Sequence, residues 1–143
     1  MPNWCYNNAK ITHENPAKIA ELKGTFEPRT TFEHFIPLPD GKWDWDFCVN
    51  NWGTKWDICH PSINDSDPNM LDIYFETAWS PPIGVFEAMK AQGYVIEAEY
   101  WEEGGFFVGR WIDGEDECYE PKNAPEELYH LARNTYFDDE EAA

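Results

Sequence analysis

Two stretches of the chain alternate apolar and polar residues with a period of two. In residues 71–79 the apolar positions begin with Leu71, Ile73 and Phe75, with polar or charged residues between them. Residues 4–12 follow the same rule. This period is typical of a strand that is buried on one face and wet on the other. The sequence therefore predicts a strand in each of these stretches.

A polar residue followed by proline marks the start of two helices. Asn15 precedes Pro16, and Ser80 precedes two prolines. Asn and Ser side chains accept hydrogen bonds from the free amides of a first helical turn, where proline is also tolerated. Gly24 and Gly93 are the corresponding stops. We expect one helix after each of the two strands.

The last third of the chain predicts two hairpins and a helix. Residues 94–101 and 106–112 alternate in the manner of strands and are separated by a turn with two glycines. Asp113 and Gly114 are a second hairpin signal, because tight turns of this kind need positive φ. A final helix is expected to begin near Pro125.

Three remaining segments have no clear period. Residues 25–39 interleave aromatic residues with prolines and are predicted to be extended, as is the tryptophan-rich segment 43–56. Residues 62–69 are polar and are predicted to be a loop.

The order of these elements predicts an α+β protein with a ferredoxin-like βαββαβ core. Strands that pair mostly antiparallel and are interrupted by helices form one sheet with the helices on one face. The C-terminal hairpins would extend this antiparallel sheet, and a C-terminal helix would follow. The length favours a single domain over residues 1–143, with an acidic extension from about residue 113 to the end.

Acidic residues outnumber basic ones by 28 to 10, which gives a formal net charge of −18. The chain is 42% hydrophobic and is therefore too apolar to be an acidic disordered tail. Because carboxylates repel phosphate, the charge argues against direct binding of nucleic acid or of an anionic membrane. The charge is also uneven, since residues 97–143 hold 15 of the acidic residues and 3 of the basic ones.

The opening residues lack the charged start and the apolar stretch of a secretion signal, and no apolar run approaches about 18 residues. The four cysteines are scattered without short spacings. The expected location is therefore the cytoplasm of the host cell, with buried free thiols rather than disulfides.

Metal binding has weak support in the sequence. Cys48, Cys59 and His60 lack the second close pair of ligands that a structural zinc site usually shows, so thiols in the core are favoured. Asp44 and Asp46 would share one side of an extended segment and could hold a divalent ion, but a solvated strand face is the favoured interpretation. No metal, cofactor or catalytic residue is predicted.

The stretch with the greatest concentration of candidate chemistry is residues 51–57. Trp52, Trp56 and Asp57 could line a pocket in which the indole rings stack on a ligand. The favoured alternative is a tryptophan clamp that packs over the sheet, since large aromatic residues dominate burial in small domains.

Four ordered motifs resemble those of a known family. They are the opening Met1-Pro2-Asn3-Trp4-Cys5 and the strings within residues 51–57, 77–82 and 100–109. Together they resemble the YubB-type ferredoxin-like family of small phage and plasmid proteins, over about residues 1–112. The resemblance implies a ferredoxin-like fold without an iron–sulfur cluster and an origin in a mobile element. It implies no catalytic residue.

Two functions follow as expectations. The first is a non-enzymatic interaction protein, resembling a DNA mimic, that binds a basic, nucleic-acid-binding protein of the host. Its contact residues would be the acidic residues around the hairpins: Glu97, Glu99, Glu102, Glu103, Glu115, Asp116 and Glu117. The second is a small-ligand-binding domain or enzyme that uses the pocket at residues 52–57. An exposed sheet edge would also allow a homodimer.

Overall fold

A computed structural model of the protein describes residues 3–131, in which six strands form one antiparallel sheet. The strands are β1 (Trp4–Thr12), β2 (Cys59–Asp67), β3 (Met70–Ala78), β4 (Val95–Glu102), β5 (Val108–Ile112) and β6 (Glu115–Tyr119). Their order across the sheet is β2-β3-β1-β4-β5-β6. Strand β1 therefore pairs with both β3 and β4.

Four helices connect the first four strands. Helices α1 (Pro16–Lys23), α2 (Thr31–Phe35) and α3 (Trp45–Asn51) lie between β1 and β2, and α4 (Ile83–Ala91) lies between β3 and β4. A fifth helix, α5, begins at residue 126 and reaches the last described residue, 131. Within residues 3–131, no helix has the length and apolar character needed to cross a membrane.

This connectivity is that of a ferredoxin-like fold. The chain runs β1-α1-β2-β3-α4-β4, and these four strands lie in the order β2-β3-β1-β4, with α2 and α3 added after α1. Strands β5 and β6 extend the antiparallel sheet beyond β4. The predicted α+β class, the ferredoxin-like core, the added hairpins and the C-terminal helix are all confirmed.

The main core lies between the sheet and helices α1–α4. Alternate residues of the central strands enter it, such as Ala9, Ile73 and Ile96. Ile19 of α1 and Phe86 of α4 cover them from the helical layer. Burial of these apolar side chains holds the helices against the sheet.

The other face of the sheet has a smaller core of its own. Trp101 of β4 and Val108 of β5 are opposite each other in register and pack against Leu128 of α5, with Tyr119 beside them. The expectation that the helices lie on one face only is therefore wrong for α5. Two large apolar side chains on the second face need cover, and α5 provides it.

Local side-chain bonds fix where the predicted helices start. Asn15 accepts a hydrogen bond from the amide of Ala17 at 3.0 Å, as the sequence predicts. The Ser80 hydroxyl instead donates to the Gly53 carbonyl, so α4 begins three residues after Ser80. Gly93, with φ of 93°, follows the end of α4.

The prediction of extended structure for residues 25–39 and 43–56 is wrong, because these segments contain α2 and α3. Each short helix has its first amides satisfied by an aspartate. Asp57 accepts from two amides of α2, and Asp44 accepts from the amide of Phe47 in α3 at 3.0 Å. Hydrophobic periodicity does not reveal these caps, because they come from polar side chains.

The prediction of a loop at residues 62–69 is also wrong, because most of this segment belongs to strand β2. Nearly every residue of β2 is exposed, so the sequence shows no alternation there. The strand lies at the edge of the sheet, and two register shifts interrupt its pairing with β3. Polar side chains and bulges are usual at such edges, where they hinder pairing with a second molecule.

Candidate functional site

The sheet face opposite α1–α4 carries charged residues where α5 does not cover it, and we call this part the open face. Strand registers place its charged residues in two rows that run across the strands. They are Lys10, Asp72, Glu97, Glu99, Arg110, Glu115 and Glu117.

The first row of the open face holds three carboxylates and one ammonium group. Asp72 is opposite Lys10, Lys10 is opposite Glu97, and Ile112 separates Glu97 from Glu115. Neighbouring strands are about 4.8 Å apart. These charges therefore lie within or near the screening length of about 8 Å at physiological salt, and the potential of the row is negative.

The second row holds Glu99, Arg110 and Glu117 in register. Arg110 donates from Nε to Glu117 at 2.6 Å and from Nη1 to Glu127 of α5 at 3.2 Å. Burial raises the pKa of the Glu99 carboxyl, and the charge of Arg110 opposes that rise. Two carboxylates thus engage the guanidinium, and Arg110 offsets part of the negative charge around it, so Glu99, Glu117 and Glu127 together outweigh it.

A shallow cavity of about 420 Å³ lies over these rows. Asn8, Asn64 and the apolar Ile112 line it together with the charged residues of the rows that lie on β1, β3, β4 and β5: Lys10, Asp72, Glu97, Glu99 and Arg110. A cavity with this lining suits a ligand that brings several cationic hydrogen-bond donors, such as Lys or Arg side chains.

Asp116 lies on the other side of the sheet from Glu115 and Glu117. Asp116 lies between these two residues on β6, and because successive side chains of a strand alternate, its side chain points to the opposite face. There it accepts a hydrogen bond from the Tyr100 hydroxyl at 2.5 Å. The structure therefore does not bring Asp116 together with the open face.

Glu102 is the last residue of β4, and Glu103 follows it in the turn to β5. Glu102 is buried and accepts from the amide of Phe106 at 3.0 Å. Glu103 accepts from the amide of Trp4. Of the seven acidic residues predicted as a contact surface, these two support the turn and the start of β1, and four share the open face.

Trp52 and Asp57 do not line an open pocket together. Trp52 is 1% exposed, packs edge-on against Phe32 and donates its indole N–H to the Ile36 carbonyl at 2.9 Å. Asp57 uses both carboxylate oxygens on backbone amides, including that of Ile58 at 2.7 Å. Trp52 is thus part of the core and Asp57 is the cap of α2.

Trp56 lines a different cavity, at the end of the sheet where β1 begins. This cavity of about 450 Å³, which we call the aromatic cleft, is walled by Trp4, Arg29, Trp56, Asp57, Ile58, Cys59 and His60. The Trp4 ring contacts two other rings: its centroid is 6.3 Å from that of Trp56 and 5.7 Å from that of His60. The His60 imidazole is hydrogen-bonded to Glu76.

Lys55 and two further tryptophans extend the aromatic surface beside the cleft. The Lys55 ammonium lies 4.8 Å from the ring centroid of Trp56 and 4.9 Å from that of Trp79. Trp43 donates its indole N–H to the Lys55 carbonyl at 3.0 Å. Trp43 is 54% exposed and Trp79 is 45% exposed. Adjacent large aromatic side chains left in solvent are typical of binding surfaces.

The part of the chain from the cap of α3 to α5 matches a family model. The model is described as the ferredoxin-like domain in Api92-like protein, and it matches residues 44–132, more than half of the chain. The chain belongs to this family. A search of curated proteins and a search of solved structures gave no match.

The match of the Api92-like domain begins after β1 and α1, although β1 is paired on both sides within the sheet. At its other end the match runs to residue 132 and includes β6 and the described part of α5. The second hairpin, formed by β5 and β6, therefore lies within the matched region. The family's description concerns fold and leaves the activity open.

The cysteines of the Api92-like chain are separate free thiols. Cys5 and Cys48 are buried, Cys59 is half-buried, and Cys118 is exposed on β6. Burial raises the pKa of the Cys48 and Cys59 thiols, which favours their protonated form at neutral pH. In the described part of the chain, no three His, Cys, Asp or Glu side chains are grouped so as to hold a metal ion.

The carboxylates of Asp44 and Asp46 do not have the arrangement expected of an extended segment. Asp44 precedes the first turn of α3 and caps it, whereas Asp46 lies within that turn. The expectation that both face one side of a strand is wrong because the segment is helical.

Sequence reasoning missed the aromatic cleft because its walls come from separate segments. Trp4 starts β1, Arg29 precedes α2 and Trp56 precedes β2, and Trp79, which lies beside the cleft, follows β3. A signal was nevertheless present: three of the four motifs used for the resemblance, residues 1–5, 51–57 and 77–82, contain residues of this surface.

Proposed function

We propose that the protein is a small acidic interaction protein of phage or plasmid type, related to the YubB-type group, that binds a basic surface on a host protein through its open face. The observation that supports this proposal is the placing of Glu97 and Glu99 on β4 and of Glu115 and Glu117 on β6 on one face of the sheet, with only β5 between them. The partner surface would be one that normally binds nucleic acid.

The spacing of the carboxylates supports a limited imitation of DNA. The two carboxylates on each strand are about 7 Å apart, and β4 and β6 are about 10 Å apart because β5 lies between them. Duplex DNA carries one charge per about 1.7 Å of its axis, which is denser. The open face therefore suits the recognition of a few Lys or Arg side chains rather than a copy of a whole DNA site.

A charge-neutralising double variant tests the proposal. The partner is first identified by affinity purification from the host and is then purified. Glu97→Gln with Glu115→Gln removes two charges from the first row, and we expect the Kd to rise at least tenfold at low salt. Between about 0.05 M and about 0.3 M salt, binding by the native protein should weaken roughly tenfold or more, because screening acts on such pairs.

The matched control is Glu27→Gln with Glu87→Gln, which removes two exposed charges from the helical layer on the other side of the sheet. This control should bind as the native protein does. Binding that is insensitive to salt, or that is weakened equally by both double variants, would refute a role for the open face.

The alternative, a ligand-binding domain or enzyme built on Trp52, Trp56 and Asp57, retains only Trp56 as a cavity-lining aromatic residue. Trp52 is enclosed in the core, and the Asp57 oxygens are engaged by amides. We propose no catalytic residue for this alternative.

A homodimer through a sheet edge stays a prediction, and the two outer strands differ in their suitability. Strand β6 carries Glu115, Asp116 and Glu117 in succession, and antiparallel pairing of two copies would set carboxylates against one another. Strand β2 is interrupted by its register shifts but exposes Ile63. Of the two, β2 is the better candidate.

A further inference from the structure

The aromatic cleft combines cationic side chains with acidic ones that are already engaged: both oxygens of Asp57 accept from backbone amides, and Glu76 is hydrogen-bonded to His60. Arg29 lines it and Lys55 lies beside it. Neither side chain forms an ion pair with any residue of the described chain, 3–131. Lys55 is held over two indole rings, and the Arg29 guanidinium stands in the wall of the cleft without a carboxylate of the described chain bonded to it.

The backbone around the cleft adopts conformations that are uncommon for large side chains. Arg29, His60 and Trp79 have φ of 57°, 49° and 70°, and they are three of the five non-glycine residues with positive φ in the described chain. Such conformations cost about 1–3 kcal/mol each and cluster at binding sites. Here they place a guanidinium, an imidazole and an exposed indole around one surface.

The shape of the cleft fits a small flat ligand. Its volume of about 450 Å³ is within the usual range of small-molecule sites. The Trp4 and Trp56 rings, with an interplanar angle of 54°, supply two aromatic surfaces. Base–aromatic stacking contributes about 1–3 kcal/mol per base, and a guanidinium binds phosphate through paired N–H donors.

We propose that the aromatic cleft binds a free mononucleotide, that is, an aromatic base joined to a phosphate. The base packs against Trp4 and Trp56, and the phosphate meets Arg29. The total charge of −18 does not prevent this, because screening limits its reach to about 8 Å at physiological salt. A nucleic-acid strand is disfavoured, because its further phosphates would approach the acidic surface. This site is independent of the function proposed for the open face.

Fluorine NMR of the whole chain labelled with fluorotryptophan tests the proposal, with adenosine monophosphate as the probe. Single Trp→Phe variants assign the resonances. We expect saturable shifts at Trp4 and Trp56 on titration, and no shift at Trp52 or Trp111, which are enclosed in the core. Adenosine, without the phosphate, should shift the same resonances at a higher concentration.

Arg29→Gln should weaken binding of the monophosphate at least fivefold and leave the affinity for adenosine unchanged, because only the phosphate contact is lost. Arg29→Lys keeps the charge and should restore most of the affinity. Lys122→Gln, a charge change on the exposed residue that pairs with Glu120, is the matched control and should bind normally.

Three results would overturn the proposal. The first is the absence of a saturable shift at millimolar concentrations. The second is an equal response to inorganic phosphate, which would show binding of an adventitious ion only. The third is tighter binding of a single-stranded oligonucleotide than of the monophosphate, which would assign the cleft to nucleic acid.

Discussion

At the scale of single residues, Asp57 supports three amides at once. Its Oδ1 accepts from Phe32 and Ile58, and its Oδ2 accepts from Glu33 at 3.0 Å. Removing an acceptor that leaves partly buried amides unsatisfied costs about 1–3 kcal/mol. We expect Asp57→Ala to lower the free energy of unfolding by about 2–3 kcal/mol, measured by urea denaturation, with Asp57→Asn in between because one acceptor oxygen remains.

Asp44→Ala is the comparison for Asp57. Asp44 also caps a short helix, but its carboxylate accepts only one hydrogen bond from a backbone amide there, that of Phe47, in an exposed position. Loss of such a cap costs about 1 kcal/mol. If the Asp57→Ala variant is as stable as the Asp44→Ala variant, or more stable, the role assigned to the Asp57 carboxylate is contradicted.

At the scale of secondary-structure elements, the first turn of α4 touches the end of α3 through Gly84. A Cβ atom at Gly84 would lie 1.9 Å from the carbonyl oxygen of Asn51, and the Gly84 amide donates to the Trp52 carbonyl at 3.2 Å. Alanine is the better helix former by about 1 kcal/mol, yet here it requires backbone movement. We expect Gly84→Ala to destabilise the protein by about 3 kcal/mol or more in thermal or urea unfolding.

Gly24→Ala is the matched control for Gly84. Gly24 follows α1 with φ of −65°, and a Cβ there would meet its nearest neighbour, the carbonyl oxygen of Glu21, at 3.4 Å. This substitution should be neutral or slightly stabilising. Similar melting temperatures for the two alanine variants would show that α3 and α4 are not in the close contact described.

The elements that the sequence predicted correctly are those with a period or a local signal of their own. Alternation indicated β1, β3 and β4, and the Asp113–Gly114 turn has positive φ at both residues, as its hairpin requires. Helices α2 and α3 have five and seven residues, too few for a helical period to show, and β2 is almost entirely exposed. Their structure depends on caps and on pairing with β3, which are tertiary effects.

The candidate sites were predictable only in part, for the same reason. A period of two places Glu115 and Glu117 on one face and Asp116 on the other, so the open face follows from register once β6 is known to be a strand. The aromatic cleft joins Trp4, Arg29 and Trp56 from distant segments. Only the folded chain brings these side chains together.

At the scale of the whole molecule, the net charge of −18 predicts that salt stabilises the fold. Repulsion among exposed carboxylates disfavours the compact state. The screening length falls from about 30 Å at 0.01 M salt to about 3 Å at 1 M. We expect the melting temperature to rise with sodium chloride; a gain of about 1 kcal/mol corresponds to roughly 4 °C for a domain of this size.

The same salt should weaken binding of a basic partner to the open face, so stability and affinity should change in opposite directions. Choline chloride at equal ionic strength should reproduce the rise in melting temperature, because screening does not depend on the identity of the cation. A fall in melting temperature would mean that ion pairs such as those of Arg110 with Glu117 and Glu127 outweigh the general repulsion. In that case a loss of binding at high salt could result from unfolding. If the melting temperature rises as expected, the loss of binding results from screening of the open face and not from unfolding.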